Sequence, residues 1–365
     1  MKRCLPLSMI LSLSTFACAA QDSPPTDSSG EEGSRLQTRY SVAVIDDATF
    51  YSNLSVPAPE VLNQVLLEPT FSLRYRKQWS FSSSLVGIST TYADTSTRMH
   101  VKETYAGLSA GDFDLMAGRK MVRWGTGYAF AAAGALDPPR VATDPSDRLN
   151  VREGRDMIKA DWVRGPHALS LAWSTAALAR TETNLHDTTA FRYNVLVHGF
   201  DTSLIAGHDR GADTFGALTF TRVVGQAWEV HGESAWRERE ALLLGAKYTT
   251  ARGVTFIGEF YTPPNTAYFR GTGLSPAAGR QHYGFLNAGK SRLRELPGWK
   301  EWDMSGGLVS NFDDRSYTLV LDVNRWFGKH VSSYLHMTVP SGSKASEYGA
   351  APYSTSTSMG IRFQL

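Results

Sequence analysis

The chain has 365 residues, with 37 Lys and Arg against 35 Asp and Glu, and two cysteines. Lys2 and Arg3 are the only charges before Gln21, so beyond that point 35 basic residues face 35 acidic ones and the formal charge is zero, whereas a nucleic-acid binder carries a clear basic excess. Both cysteines, Cys4 and Cys18, lie in the first twenty residues, which excludes disulfide frameworks, Cys-ligated zinc and thiol nucleophiles from the remainder.

Residues 1–20 read as a secretory signal. Lys2 and Arg3 are followed by the apolar run Leu5 to Phe16 and by small residues at Ala17-Cys18-Ala19-Ala20. The run is shorter than the roughly 20 apolar residues a spanning helix needs. Cys18 opens a lipoprotein alternative, but Thr15 stands where such signals usually carry Leu. Residues 21–37, rich in Ser, Pro, Asp and Glu, are expected to be a disordered leader, and no linker divides residues 38–365.

From there the chain alternates with a period of two, the signature of strands with one apolar and one polar face. Phe71, Leu73 and Tyr75 alternate with Ser72, Arg74 and Arg76, and Trp228, Val230 and Gly232 with Glu229, His231 and Glu233. Tyr317, Leu319, Leu321 and Val323 alternate with Thr318, Val320, Asp322 and Asn324. Val331, Leu335, Met337 and Val339 oppose Ser332, Tyr334, His336 and Thr338, with Ser333 a polar intruder on the apolar face. The last residues put Met359, Ile361, Phe363 and Leu365 on one face and Ser358, Gly360, Arg362 and Gln364 on the other.

Segments of about ten residues suit tilted strands crossing a bilayer. Trp79, Trp124, Trp228, Trp236, Trp299, Trp302 and Trp326 fall near the expected strand ends, as in an aromatic girdle. Tight turns are expected at Gln78-Trp79, Ser109 to Asp112, Gly165-Pro166, Gly225-Gln226 and Ala251 to Gly253. Long connections are expected near Gly125 to Gly154, Ala177 to Thr189, Thr262 to Arg280 and Ser341 to Ser354. Seventeen strands are directly countable, and an eighteenth is placed in Gln281 to Gly289, before a charged turn at Lys290 to Pro297. The expected fold is all-β: a transmembrane antiparallel β-barrel of about 18 strands with a wet interior. Sixteen is the alternative, because Thr38 to Phe50 is poorly patterned.

The segment Gly118 to Arg155, after the fifth strand, is the longest connection and the most charged. Arg119, Arg123, Arg140, Arg148, Arg152 and Arg155 stand among Asp137, Asp144, Asp147, Glu153 and Asp156. Gly118-Arg119, then Trp124-Gly125, then Leu136-Asp137-Pro138 resembles porin-like bacterial outer-membrane barrels, including the alginate-export and related families. The resemblance covers about a tenth of the chain, and Ala131-Ala132-Ala133 replaces the family's usual Asn-Pro. It implies a loop folded into the pore. Arginines opposite carboxylates there would either set a transverse field that sorts solutes or staple the loop to the wall, and the two are compatible.

The candidate lining and constriction residues are therefore Arg74, Arg76, Arg119, Arg123, Asp137, Arg140, Asp144, Asp147, Arg148, Arg152, Glu153, Arg155, Glu229, His231, Glu233 and Glu259. One His between two acids on a strand is more often a pore wall than a metal site, so no metal, cofactor or catalytic residue is assigned. Asp144-Pro145-Ser146-Asp147 has too few ligands for calcium. The leading expectation is a passive outer-membrane channel for small polar or charged solutes, and mixed charge signs argue against strong ion selectivity. Its partners would be outer-membrane lipid, lipopolysaccharide, a small solute and an export or uptake system, with no nucleic acid. The alternatives are a soluble secreted glycan-binding β-protein and a barrel hydrolase built around His208-Asp209.

Overall fold

The computed structural model describes residues 36–365 except 77, 139, 145–146, 177–186, 211–213, 238–239, 264–281 and 294–297. The signal, most of the leader, and the central parts of the second and third long connections lie outside the described residues. Eighteen strands follow in chain order. They are β1 (Leu36–Ser52), β2 (Val61–Tyr75), β3 (Trp79–Thr91), β4 (Thr95–Ala110), β5 (Phe113–Lys120), β6 (Arg155–Arg164), β7 (His167–Ser174), β8 (Thr188–Val197) and β9 (Phe200–Asp209). The second half comprises β10 (Thr214–Val224), β11 (Trp228–Trp236), β12 (Glu240–Thr249), β13 (Val254–Thr262), β14 (Tyr283–Lys290), β15 (Trp302–Asn311), β16 (Ser316–Phe327), β17 (Val331–Ser341) and β18 (Thr355–Gln364).

Each strand pairs antiparallel with its sequence neighbour, and β18 pairs with β1, so the sheet closes on itself and leaves no edge. The strand placed in Gln281 to Gly289 is β14. The poorly patterned Thr38 to Phe50 lies inside β1, which decides for eighteen strands over sixteen. One β-bulge, where β3 passes from Ser84 to Leu85 against β4, adds a residue on the β4 side.

Alternation runs as the residues dictate. Leu171, Leu204, Leu286, Met359, Ile361 and Phe363 are exposed on the outer wall, while Ala172, Ile205, Phe285, Ser356 and Ser358 point inward and are buried. Large apolar side chains spread over the outside of a closed sheet, with Asp47, His231, Glu233 and Glu259 buried inside, reverse the pattern of a soluble sandwich. This is a transmembrane barrel.

The girdle is smaller than the tryptophan positions suggest. Trp79, Trp228 and Trp236 are exposed, but Trp124 is buried inside the lumen, and the Trp326 indole donates to Asp303 Oδ2 at 2.7 Å. The two ends of the barrel differ. One carries mostly turns of two to four residues, interrupted by the longer 291–301 connection; the other carries the long connections together with short ones such as 92–94.

Candidate functional site

The connection between β5 and β6 folds into the lumen, and its geometry begins at two glycines. Gly118 has φ 127°, and a Cβ there would overlap the Thr104 carbonyl, so β5 can lie this close to β4 only with glycine. A Cβ on Gly154 would overlap the Lys120 backbone, which lets the two ends of the connection meet. Arg119 and Asp156 are register partners there. Arg119 donates through Nε and Nη2 to the two carboxylate oxygens at 3.0 and 2.7 Å, and through Nη1 to the Val101 carbonyl at 3.1 Å. Glu153 lies 3.5 Å from the same guanidinium and 3.9 Å from His100. A two-pronged guanidinium–carboxylate clamp fixes orientation as well as distance.

From Val122 the chain crosses to wall strands at least six places away in the ring. It has no regular structure between 121 and 137, so its amides need acceptors that a helix or sheet would otherwise supply. Three carboxylates provide them. Asp137 accepts from the amides of Trp124 (2.6 Å) and Gly125 (3.2 Å). Glu233 on β11 accepts from the amides of Thr126, Gly127 (2.9 Å) and Ala133 (2.6 Å), and from the Thr126 hydroxyl at 3.1 Å. Glu259 on β13 accepts from the amides of Tyr128, Ala129 (2.9 Å) and Phe130 (3.3 Å), and lies 3.0 Å from His231 Nε2.

The carbonyl side is served by Arg140, which donates to the carbonyls of Phe130 and Gly125, each at 3.0 Å, and to Asp137 at 3.1 Å. Irregular backbone at membrane depth is tolerated only when its polar groups are satisfied in this way. Apolar contacts complete the docking. Trp124, Ala133 and Leu136 pack on the inner faces of β5 to β10, and Phe130 stacks on Tyr261 with ring centroids 4.8 Å apart.

The returning half is held differently. Arg148 bonds Asp144 at 2.8 Å and Ser358 at 3.0 Å, its Nε lies 3.9 Å from Asp47, and Arg362 donates to its carbonyl. Arg152 pairs with Asp147 at 3.3 Å. The Gly154 amide donates to the Lys102 carbonyl at 2.9 Å, and Leu149 and Val151 pack on Ile45, Leu66, Val86 and Ile88. Burial pushes the Asp137 carboxyl up, against the pull of Arg140 and its two amides. Burial also raises Asp147, with Arg152 pulling back, and lowers Arg152 itself, aided by the nearby charges of Arg123 and Arg140.

The structure thus gathers Arg119, Asp137, Arg140, Asp144, Asp147, Arg148, Arg152 and Glu153 around one crossing segment. Glu229, His231, Glu233 and Glu259 stand on the wall it meets. Glu233 and Glu259 act as ties, with their oxygens turned to backbone amides. Tyr128 donates to Glu229 at 2.8 Å and accepts from Lys247 at 3.1 Å. Arg123 is exposed, and Arg155 is buried with Nη1 3.4 Å from the Thr188 hydroxyl. Arg74 and Arg76 lie apart from this cluster, at the last residues of β2 and in the turn beyond it.

Sequence reasoning passed over Asp47, Glu68, Lys102, Tyr128 and Lys247. Inward alternation along β1 and β2 would have flagged the first two. No group of three or more His, Cys, Asp or Glu among the described residues is placed to hold a metal ion. His208 is exposed and Asp209 buried on the opposite face of β9, where Asp209 takes Arg237 and Thr188, so the two do not form a dyad.

No family model matches this chain, and no curated protein matches it in sequence. Solved structures do match its fold. Pseudomonas aeruginosa OccK5 (OpdH) superposes with a TM-score of 0.61 at 7% identity, covering 90% of this chain and 98% of that one. P. aeruginosa OprD gives 0.59 at 9% identity over 90% and 95% of the two chains. A mutant of the Rh. blastica porin gives 0.50 at 9% identity over 90% and 100%. The closed antiparallel barrel of this chain is therefore similar in fold to bacterial porin structures.

Proposed function

We propose that this protein is an outer-membrane channel for passive passage of small polar or charged solutes, with the segment between β5 and β6 setting what passes. The observation that carries this reading is a closed barrel, apolar outside, whose lumen is crossed by the segment between β5 and β6, tied to the wall at β4, β11, β13 and β18. A wide barrel needs such a restriction to discriminate between solutes. In this reading the charges of the crossing segment and of β11 and β13 line the channel.

In this reading the short-turn end faces the periplasm and the long-loop end the exterior. The apolar belt meets phospholipid and lipopolysaccharide, and an export or uptake system handles the solute. The fold likeness to a porin supports it. The narrower kinship to the alginate-export porins rests on Gly118-Arg119, Trp124-Gly125 and Leu136-Asp137-Pro138 and is part of the same proposal. The purified, heat-modifiable protein in planar bilayers should give discrete conductance steps. A folded barrel that produces none would overturn the channel, and recovery of the protein in a soluble fraction would overturn the membrane location.

A further inference from the structure

The crossing segment does not cover the inner wall evenly. Among the described residues, the three apolar clusters it belongs to draw on every strand except β16 and β18. Those two strands turn polar groups inward, as at Thr318, Asp322, Asn324, Ser356 and Ser358. The segment meets this sector through charge instead: Arg148 donates to the Ser358 hydroxyl at 3.0 Å, and Arg362 donates to the Arg148 carbonyl. At the long-loop end of the same sector stands Tyr51, on the lumen face of β1 beyond Asp47 and Thr49 and opposite Ser356 in the register.

Tyr51 is one of three rings that meet there. Its centroid lies 5.2 Å from that of Tyr353, with the planes tilted by 41°, and 6.4 Å from that of Tyr92, edge-on at 76°. Tyr353 comes from the β17–β18 connection and Tyr92 from the turn between β3 and β4. Backbone bonds hold these parts together. The Ser55 amide donates to the Pro352 carbonyl at 2.7 Å, the Ser354 amide to the Ser52 carbonyl at 3.0 Å, and the Tyr92 amide to the Asp94 carbonyl at 3.1 Å. None of the three rings is buried, and none of their phenol hydroxyls bonds another described residue. The Ser52 and Ser354 hydroxyls, 3.1 Å apart, and the Asn53 amide stand at the rim. Glu60 and Asp94 are exposed there, and Arg98 faces the lumen on β4, so charges of both signs edge a platform whose own surface is neutral.

We propose that Tyr51, Tyr92 and Tyr353 form a binding platform for a neutral sugar ring at the long-loop mouth, placed to pass it to the hydroxyl-lined sector of β16 and β18. A pyranose has an apolar C–H face and an edge of hydroxyls. A tyrosine offers the matching pair, an apolar ring face and a polar tip, and it has few side-chain torsions to freeze on binding. Three phenols without protein partners, ringed by serine and asparagine groups, can bond the edge of a sugar whose face lies on the rings. The backbone bonds that join the connections hold the platform in place before the ligand arrives, which lowers the cost of binding. Beyond Tyr51 the wall continues with Ser356, Thr49 and Ser358, which exchange hydrogen bonds with hydroxyls and make no net demand for charge. A solute of fixed charge gains nothing from the rings and meets Glu60 and Asp94 at the entrance. This inference names a solute class for the proposed channel and rests on that reading for its purpose, while binding is measured apart from conduction.

Titration calorimetry on the folded, detergent-purified protein tests the platform, with maltotriose and cellotriose as neutral probes, trigalacturonate as the acidic one and sorbitol as a polyol without a ring. At least one neutral trisaccharide should bind saturably with a Kd of roughly 1 mM, and trigalacturonate and sorbitol at least about tenfold more weakly. Tyr51→Ala and Tyr353→Ala should each weaken the neutral probe by about tenfold, while Tyr353→Phe, which keeps the ring, should stay within about threefold. Tyr40→Ala, at the opposite end of β1, should change nothing. Heat modifiability confirms that each variant is folded, and Tyr92→Ala, in a turn, supplies a further variant should Tyr51→Ala fail to assemble. Rings that only staple the connections together would give lower thermal stability in the Ala variants and no saccharide binding in the wild type. That result overturns the proposal, as does trigalacturonate binding as tightly as the neutral probes, or Tyr353→Ala binding like the wild type. Planar bilayers separate the two readings: binding without conductance steps leaves the platform standing and removes the channel, and conductance without binding does the reverse.

Discussion

The two halves of the lumen-crossing segment reach the same end by opposite means. Residues 124–133 are mostly Gly, Ala and aromatic, and the wall holds them through their backbone: six amides turn to Glu233 and Glu259, 100 to 131 residues away in sequence. Residues 144–156 are held through side chains, by Arg148 on Asp144, Arg152 on Asp147 and Asp156 on Arg119. An apolar stretch with no regular structure offers little but its backbone amides and carbonyls, so most of their partners must come from elsewhere. A charged stretch can bring its own. The first half is therefore fixed mainly through its backbone, by Glu233 and Glu259 of the wall with Asp137 and Arg140, and the second mainly through its own charged side chains, and the two should fail differently.

The largest effect is expected from deleting Ala131 to Asp144, which removes the join between the halves together with the Ala133 and Asp144 anchors on either side of it. Single-channel conductance should rise severalfold while the barrel still assembles. Unchanged conductance would mean that the segment does not restrict the pore.

Glu233→Ala should come next. It leaves three amides, two of them buried, and the Thr126 hydroxyl without an acceptor, at about 1–3 kcal/mol for each buried amide, and should release the first half alone. Noisy, enlarged conductance and protease cleavage within 124–137 are the expected readouts. If cleavage appears first within 144–154 instead, the division between the halves is wrong. Arg148→Ala should be milder. It removes bonds to Asp144 and Ser358, but Arg152, Leu149 and Val151 still hold the return, so a loss of roughly 1–3 kcal/mol should show as lower thermal stability with little change in conductance. The smallest effect belongs to Thr126→Ala, which costs one hydroxyl bond of 3.1 Å and keeps the amide. A loss beyond about 1.5 kcal/mol would show that side chains matter in the first half after all.

These differences also mark what could be read in advance. The pairing of Arg148 with Asp144 is an i, i+4 contact, and acid and base within one short charged stretch are visible in sequence. Glu233 and Glu259 were visible only as inward-facing acids, and the natural reading was of free charges lining a pore. Nothing in Thr126 to Phe130 announces an acceptor, because any residue but proline carries the same amide. Trp124 shows the same limit: beside a strand end it reads as girdle, yet the chain turns inward there and buries it.

What the sequence by itself determined is the barrel: two-residue alternation assigns most strands, though not the poorly patterned β1, a lipid face and a lumen face, and closure follows because an open edge cannot be left in a bilayer. It also located the long charged connection after β5, since composition and spacing are local properties. Only the tertiary structure decided which lumen charges are spent. It brings β11 and β13 opposite the connection leaving β5, and a carboxylate's role depends on what stands within about 3 Å of it, a distance that chain order does not encode.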